Sequence, residues 1–287
     1  MNSKLRIVVC CHKECAVPND DIFLPIHVGK AVSDKELKFV GDDSGDNISS
    51  RNRLYCELTG LYWAWKNLDA DYVGLCHYRR YYSFTNPKHI KTSFRYYYHK
   101  LSRTIHSFSS RIKEDSCYSS SFTIYNDVDL NNYLDRFKRD IYKYLDRNPE
   151  IKLFALKPFY GGCVSNGKHF GIIAGNWHVD ILRDYIKDNY SQYYSCFCET
   201  LDANSLYYAN MIIARKDVLS NYCSFLFDTL NYHYNQCLSS GMYQSYDEKS
   251  LSRLSGYLGE LITSTFVLHI KRTNPKCVKL LSQIQYE

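Results

Sequence analysis

The stretch DYVGLCHYRRYY, residues 71–82, joins a short apolar run to an abrupt polar cluster. An apolar run of this length predicts a buried β-strand, here over residues 72–76. His77, Arg79 and Arg80 follow this strand directly. In open α/β sheets, ligands bind at the carboxyl ends of the strands. The stretch therefore predicts a binding site where this strand ends.

The residues before this strand predict one amphipathic helix over residues 50–67, with Ser49 or Ser50 as its N-cap. Its apolar side chains recur at i, i+4, i+7, i+8 and i+11, which is helical spacing. They are Leu54, Leu58, Leu61, Tyr62 and Trp65. A helix, a short turn, a buried strand and a polar cluster, in this order, are typical of nucleotide sites in open α/β sheets.

The remaining segments predict the fold class. Further strands are predicted at residues 5–11, 37–40 and 151–156, and further helices at 181–186, 218–230 and 248–269. Strands that alternate with helices indicate an α/β fold with a mainly parallel sheet. We therefore expect one domain, residues 1–287, with an open, twisted, mainly parallel sheet flanked by helices and a helical C-terminal part.

Hydropathy and cysteine usage limit the functional classes. The mean hydropathy is −0.41, and no apolar run approaches the roughly 18 residues that suggest a membrane-spanning helix. The apolar run near Met1 is too short for a signal peptide, so we expect a cytoplasmic protein. The 12 cysteines include no Cys-x-x-Cys pair, which predicts neither a zinc ribbon nor a disulfide framework. We interpret the cluster around Cys10 and Cys15 as packing residues.

Positive charge is concentrated in one segment. The chain has a net charge of +6 and 28 tyrosines, and residues 88–113 hold seven Lys or Arg and no acid, interleaved with aromatic residues. One interpretation is a solvated helical face. The other is attraction to an anionic membrane surface, with aromatic side chains at the interface. We treat residues 86–145 as a basic and aromatic insertion.

Well-known catalytic and nucleotide motifs are missing from the sequence. Gly29-Lys30 suggests a phosphate-binding loop, but Leu24 stands where Gly-x-x-x-x-Gly-Lys requires its first glycine. Neither Gly-x-Gly-x-x-Gly, nor His-Glu-x-x-His, nor Gly-x-Ser-x-Gly occurs, which disfavours dinucleotide-binding enzymes, zinc proteases and α/β-hydrolases.

Three charged residues near the predicted strand have two interpretations each. Arg79 and Arg80 either pair with carboxylates, such as those of residues 42–46, or bind phosphate through bidentate hydrogen bonds. Glu57 lies at the edge of the helix's apolar stripe. It either has a structural role or holds an arginine or a sugar hydroxyl.

Five motifs resemble one bacterial protein family. They are CHK at residues 11–13, IHVGK at 26–30, GDDSGDNIS at 41–49, ELTGLYWAWKN at 57–67 and GLCHYRRY at 74–81. The family comprises capsular, exopolysaccharide and O-antigen synthesis proteins, long described as a domain of unknown function. Its members are assigned as galactofuranosyltransferases that use UDP-galactofuranose. One departure is Leu261, which follows Glu260 where the family usually has Glu-Arg-Leu.

The resemblance implies a GT-A-like glycosyltransferase fold and a UDP-sugar donor. It assigns residues 1–85 to donor binding and residues 146–287 to the acceptor side. GT-A enzymes usually end the corresponding strand in an Asp-x-Asp metal motif, which His77-Tyr78-Arg79 replaces here, so we expect no metal cofactor. The implied donor-binding residues are His12, Lys13, His27, Gly29, Lys30, Asp42, Asp43, Asn47, Asn52, His77, Tyr78, Arg79 and Arg80.

An inverting transfer needs a general base that takes the proton of the acceptor hydroxyl. Asp180 is our first candidate, because the base of GT-A enzymes commonly follows the metal motif by about a hundred residues. The other interpretation of Asp180 is a helix cap, and Glu57 is the second candidate for the base. The expected acceptor is a glycan or an undecaprenyl-diphosphate-linked glycan, at the inner membrane face.

Other functions stay open at this point. The chain could use another UDP-sugar, or it could be a nucleotidyl- or phosphotransferase with Mg²⁺ on Asp42, Asp43 or Asp46. A non-catalytic nucleic-acid-binding module is a third possibility, suggested by the net charge and the tyrosines. We expect no nucleic-acid partner, because no ribonucleoprotein-type aromatic motif occurs.

Overall fold

A computed structural model describes residues 3–85, 121–160, 164–241 and 252–287. In these ranges the chain forms an α/β fold. The strands are β1 (Ser3–Cys11), β2 (Phe23–His27), β3 (Val40–Gly41), β4 (Ala70–His77), β5 (Arg80–Ser83), β6 (Ser121–Ile124), β7 (Leu153–Leu156), β8 (Phe159–Tyr160), β9 (Ser205–Leu206), β10 (Ile212–Arg215) and β11 (Val278–Tyr286).

The α-helices of the described residues follow the same chain order. They are α1 (Asn52–Tyr55), α2 (Leu58–Asn67), α3 (Asp127–Arg147), α4 (Asn166–Ile173), α5 (Asn176–Asn189), α6 (Ser191–Asp202), α7 (Lys216–Ser239) and α8 (Leu254–Thr273). None of them is long and apolar enough to cross a membrane.

The main sheet is mixed. Its first four strands pair in parallel in the order β3-β2-β1-β4. Beyond β4 the pairs β4–β5, β5–β11, β4–β10 and β7–β10 are antiparallel, whereas β11 pairs in parallel with β6 and β7. The expected parallel arrangement therefore holds for the N-terminal strands, and antiparallel pairs predominate beyond them.

Strand β2 was not predicted from the sequence, and β3 is shorter than expected. Strand β2 lies between β1 and β3, but its Pro25 is paired with β1 alone, because the ladder to β3 starts at Ile26. The predicted strand at residues 37–40 is reduced to the two residues of β3. The C-terminal part is not helical throughout, because β11 follows α8 and pairs with three other strands.

The expected single helix at residues 50–67 is wrong. A 3₁₀ turn (Ser49–Arg51) and α1 end at Cys56, whose φ of 50° and ψ of −127° interrupt the helix before α2 begins. The Asn52 side chain donates a hydrogen bond to the Cys56 carbonyl oxygen (2.8 Å), and the Thr59 hydroxyl donates to the same oxygen (3.1 Å). These bonds satisfy a carbonyl group that a continuous helix would have paired along its axis.

Helix α3 belongs to the core, contrary to the assignment of residues 86–145 to an insertion. Phe137 of α3 packs against Phe23 of β2 and Tyr82 of β5, with ring centroids 6.1 Å apart in both pairs. Between two helices, Trp65 of α2 stacks on Phe227 of α7, with ring centroids 6.0 Å apart. Residues 88–113 lie outside the described residues, so their attraction to a membrane stays a prediction.

Candidate functional site

A cavity of about 620 Å³ lies at the carboxyl end of β4, where the sequence predicts a site. It is bounded by the β4–β5 turn, the break between α1 and α2, the turn before β10 and the start of α8. Its lining residues are Cys10, His12, Val28, Asn52, Arg53, Cys56, Glu57, His77, Tyr78, Arg79, Arg80, Tyr208, Ala209, Ser252, Arg253, Gly256, Tyr257, Glu260 and Gln285.

The charged side chains of this lining are four arginines and two glutamates. They are Arg53, Arg79, Arg80, Arg253, Glu57 and Glu260. Guanidinium groups present planar sets of N–H donors that match phosphate and carboxylate oxygens. With this excess of positive charge, the cavity is suited to an anionic ligand, and its carboxylates could accept protons or hydroxyl hydrogen bonds.

Tyr78 forms the centre of a cationic and aromatic group. The His12 ring meets the Tyr78 ring edge-on at 5.2 Å. The charged groups of Lys13 and Arg79 lie 5.5 Å and 5.3 Å from the same ring centroid. Burial and the neighbouring cations, Lys13 first among them, lower the pKa of His12, so this ring is neutral at pH 7 and can accept a hydrogen bond.

Ala209 is held between two cavity residues in a conformation that L-residues rarely adopt. Its φ is +65°, and the next residue, Asn210, has a φ of +53°. The Ala209 N–H donates to Glu260 Oε1 (2.8 Å), and His77 Nε2–H donates to the Ala209 carbonyl oxygen (3.0 Å). Such conformations cost about 1–3 kcal/mol and persist where surrounding contacts fix them.

Asn210 connects the carboxylate of Glu57 to the protein interior. Its amide donates to Glu57 Oε1 (2.8 Å) and to the Gly256 carbonyl oxygen (3.1 Å). Its own carbonyl oxygen accepts from the Thr263 hydroxyl (3.0 Å), which in turn lies 2.7 Å from the Tyr222 hydroxyl. A buried network in which each member is paired fixes the orientation of the carboxylate that faces the cavity.

Glu260 has the most perturbed acidity of the cavity carboxylates. Burial raises its pKa to about 8, opposed by the hydrogen bond from Ala209 and supported by the negative charge of Glu57, while Arg80 lowers it. A carboxyl group with a pKa near neutral pH is suited to general acid–base catalysis.

Some predicted donor-binding residues instead stabilise the loops behind the cavity. The buried Asp42 carboxylate accepts hydrogen bonds from Gly29 N–H (2.9 Å), Lys30 N–H (3.1 Å) and the Ser49 hydroxyl. Gly29 has a φ of +71°, and a Cβ there would lie 2.4 Å from Asn52 Cγ. Asp42 and Gly29 therefore lie outside the lining, and the missing side chain of Gly29 leaves room for Asn52, which does line the cavity.

The remaining predicted residues lie away from the cavity lining. His27 is buried, and its Nδ1 has no hydrogen-bond partner among the described residues. Lys30 forms an ion pair with the exposed Glu36, and Asn47 donates to the carbonyl oxygen of Asp43 (3.1 Å) in an exposed turn.

Asp180, the first candidate for the base, is exposed on α5 and pairs with Arg183. It does not line the cavity. Seven of the residues predicted from the sequence do line the cavity: His12, Asn52, Glu57, His77, Tyr78, Arg79 and Arg80.

Helix α8 adds residues to the cavity that were not among the predicted donor-binding residues. Arg253, Gly256, Tyr257 and Glu260 all line the cavity. Gly256, Tyr257 and Glu260 lie on one face of α8, and Arg253 is the residue before the helix, with a φ of +71°. The polar residues of this helix were visible in the sequence, but the apolar residues that predict the helix were the stronger pattern.

Comparison with known proteins assigns the family. The family model described as "Domain of unknown function (DUF4422)" matches residues 6–272. The chain belongs to this family. Among solved structures, the apo form of WbbM, a bifunctional glycosyltransferase, is similar over 99% of this chain, with 25% sequence identity and a TM-score of 0.75. The chain corresponds to 45% of the WbbM chain. A search of curated proteins finds no match.

Proposed function

We propose that the protein is a glycosyltransferase that transfers a sugar from a nucleotide diphosphate donor to a glycan acceptor. The observation that carries this proposal is the cavity at the end of β4, which combines four arginines with two carboxylates. The likeness to WbbM, a bifunctional glycosyltransferase, supports the reaction class. Neither observation depends on the other.

The arginines would bind the donor diphosphate. As the bond between the anomeric carbon and the diphosphate breaks, negative charge develops on the departing oxygen. Arg79 lies in the turn after β4 and Arg80 begins β5; both could stabilise that charge, as preorganised cations do in other enzymes. We propose that they replace a metal ion in this role, so that transfer does not require Mg²⁺ or Mn²⁺.

We propose Glu260 as the general base and Glu57 as the carboxylate that positions the acceptor. The acceptor hydroxyl oxygen would attack the anomeric carbon, its proton would pass to Glu260, and the diphosphate would leave with the bonding electron pair. Glu260 suits this step because its raised pKa, about 8, increases its basicity. Asp180 would have no part in it, because it does not line the cavity.

The resemblance to bacterial surface-polysaccharide proteins supports a finer proposal for the substrates. It suggests UDP-galactofuranose as the donor and an undecaprenyl-diphosphate-linked glycan as the acceptor. A Mg²⁺-dependent phosphotransferase is less consistent with the structure, because the Asp42 carboxylate is occupied by three hydrogen bonds within its own loop.

Thermal unfolding with UDP and turnover with a panel of UDP-sugars test the proposal. A ligand at 100 times its dissociation constant adds about 2.7 kcal/mol to the free energy of unfolding, so we expect UDP to raise the Tm and one UDP-sugar to give product. Glu260→Gln should retain the UDP effect and lose turnover at least 100-fold, whereas Asp180→Asn should retain both. Binding of UDP without transfer from any donor to lipid-linked acceptors would contradict the proposed reaction.

A further inference from the structure

Three potential metal ligands lie together in the protein interior, away from the cavity. His178 lies on α5, and His233 and Cys237 lie on α7. All three side chains are buried, with at most 2% exposure. Their ligand atoms lie within 4.8 Å of one another.

The spacing on α7 brings two of these ligands to one helical face. His233 and Cys237 are four residues apart, and residues at i and i+4 are neighbours on a helix surface. Helix α5 packs against α7 and supplies His178 from the opposite side. A metal ion between them would link two helices that are distant in sequence.

The distances between these atoms are close to those around a tetrahedral metal. With Zn–N bonds of about 2.0–2.1 Å and a Zn–S bond of about 2.3 Å, tetrahedral angles place two nitrogens about 3.3 Å apart and a nitrogen and a sulfur about 3.6 Å apart. Cys237 Sγ lies 3.6 Å from His233 Nε2 and 3.9 Å from His178 Nδ1. The two nitrogens lie 2.8 Å apart, so they would separate by about half an ångström on binding.

The chemistry of the three ligands narrows the choice of metal. Thiolate and imidazole groups bind zinc and copper, whereas Mg²⁺ and Ca²⁺ prefer oxygen ligands. Of the first two, zinc is the one that takes the tetrahedral arrangement, to which the distances above are close. We propose that His178 Nδ1, His233 Nε2 and Cys237 Sγ bind a zinc ion that holds α5 against α7. The Cys237 thiol would release its proton to solvent. The proton shared by the two imidazoles would move to the second ring nitrogen of its histidine.

This proposed zinc site is independent of the proposed transferase reaction. None of its three residues lines the cavity. Zinc here would stabilise the fold, since metal that binds only the folded chain adds its binding free energy to the stability. Failure of the transferase proposal would leave this site untouched, and the reverse also holds.

Metal analysis of the chain of residues 1–287, purified without a histidine tag, tests the site. We expect about one zinc per chain, and a lower Tm after chelation that zinc restores. Cobalt substitution should produce a thiolate-to-cobalt charge-transfer band. Cys237→Ala should lose the zinc and the band. Cys223→Ala is the matched control and should keep both, because Cys223 is buried on the same helix outside the proposed site.

If Cys237→Ala fails to fold, X-ray absorption of the zinc-loaded wild type still tests the site, because it identifies the atoms bound to the metal. We expect one sulfur at about 2.3 Å and nitrogens at about 2.0–2.1 Å. The proposal is overturned if the wild type binds neither zinc nor cobalt, or if the bound metal has no sulfur ligand. Equal zinc content in folded Cys237→Ala and Cys223→Ala would also overturn it, and a simple histidine–histidine hydrogen bond would then explain the cluster.

Discussion

His77 and Glu260 hold the same residue from opposite sides. His77 Nε2–H donates to the Ala209 carbonyl oxygen (3.0 Å), and Glu260 Oε1 accepts from the Ala209 N–H (2.8 Å). His77 ends β4 and Glu260 lies in α8, so these bonds connect the carboxyl end of β4 to the C-terminal helix. The two walls of the cavity are thereby fixed relative to each other, as a preorganised site requires.

Substitution of Arg79 tests the proposed role of the arginines. Arg79→Ala should weaken binding of UDP and lower kcat by roughly 10²–10³, the cost of removing one preorganised donor to developing negative charge. Steady-state kinetics with the active UDP-sugar measure the effect. Arg183→Ala is the control, because Arg183 pairs with Asp180 outside the cavity; equal losses in the two variants would contradict the assignment.

Brief treatment with EDTA in the same assay tests the proposed independence from Mg²⁺ and Mn²⁺. Activity should persist while the zinc content, measured in parallel, is unchanged. Activity that is lost with EDTA and restored by Mn²⁺ alone would show that the arginines do not replace a metal.

The local part of the site was predictable from sequence, because it follows from one strand end. A buried apolar run that ends at His77 and Arg79 places polar groups at the carboxyl end of a strand, where open α/β sheets bind their ligands. The contribution of Glu260 was not predictable in the same way, because it depends on the packing of α8 against residues about 180 positions earlier. Only its spacing with Gly256 and Tyr257 on one helical face was visible.

Two features of the fold escaped prediction for local reasons. Pro25 argues against an interior strand, but the ladder from β2 to β3 starts only after it, at Ile26, so Pro25 is paired with β1 alone. The break at Cys56 depends on side-chain hydrogen bonds from Asn52 and Thr59, and the apolar spacing of residues 50–67 continues across it. Of the five positions that periodicity assigned to the buried face, Leu58 and Leu61 are buried and the other three are half-buried. Periodicity therefore predicted the buried face in part and the helix boundary incorrectly.

The pH dependence of transfer should respond to the charges around Glu260. If Glu260 is the base, kcat/KM should rise with pH through the pKa of this group, about 8. Glu57→Gln should move this rise to lower pH, because the negative charge of Glu57 raises the pKa of Glu260. Arg80→Ala should move it to higher pH, because Arg80 lowers the same pKa. Shifts in one direction for both variants would exclude Glu260 as the titrating group.

The raised pKa of Glu260 should also make the free energy of unfolding depend on pH. Glu260 has a pKa of about 8 when folded, against an ordinary value of 4.5, so the folded chain binds its proton more tightly than the unfolded chain does. Relative to Glu260→Gln, the wild type should therefore lose up to about 1.4 kcal/mol of unfolding free energy per pH unit between pH 4.5 and 8. Urea unfolding at a series of pH values measures this difference, and parallel curves for the two proteins would show that Glu260 titrates normally.

Cys56 offers a test of backbone strain beside the cavity. Its φ of 50° and ψ of −127° are accessible to glycine and costly for residues with a Cβ. In an ordinary helix, glycine is less stable than alanine by about 1 kcal/mol. At position 56 we expect the opposite order, with Cys56→Gly more stable than Cys56→Ala by about 1 kcal/mol, because only glycine removes the strain. Both variants lose the thiol, so their difference isolates the backbone. Denaturant unfolding with equal m-values measures it, and an alanine variant as stable as the glycine variant would mean that residue 56 relaxes to an unstrained conformation in solution.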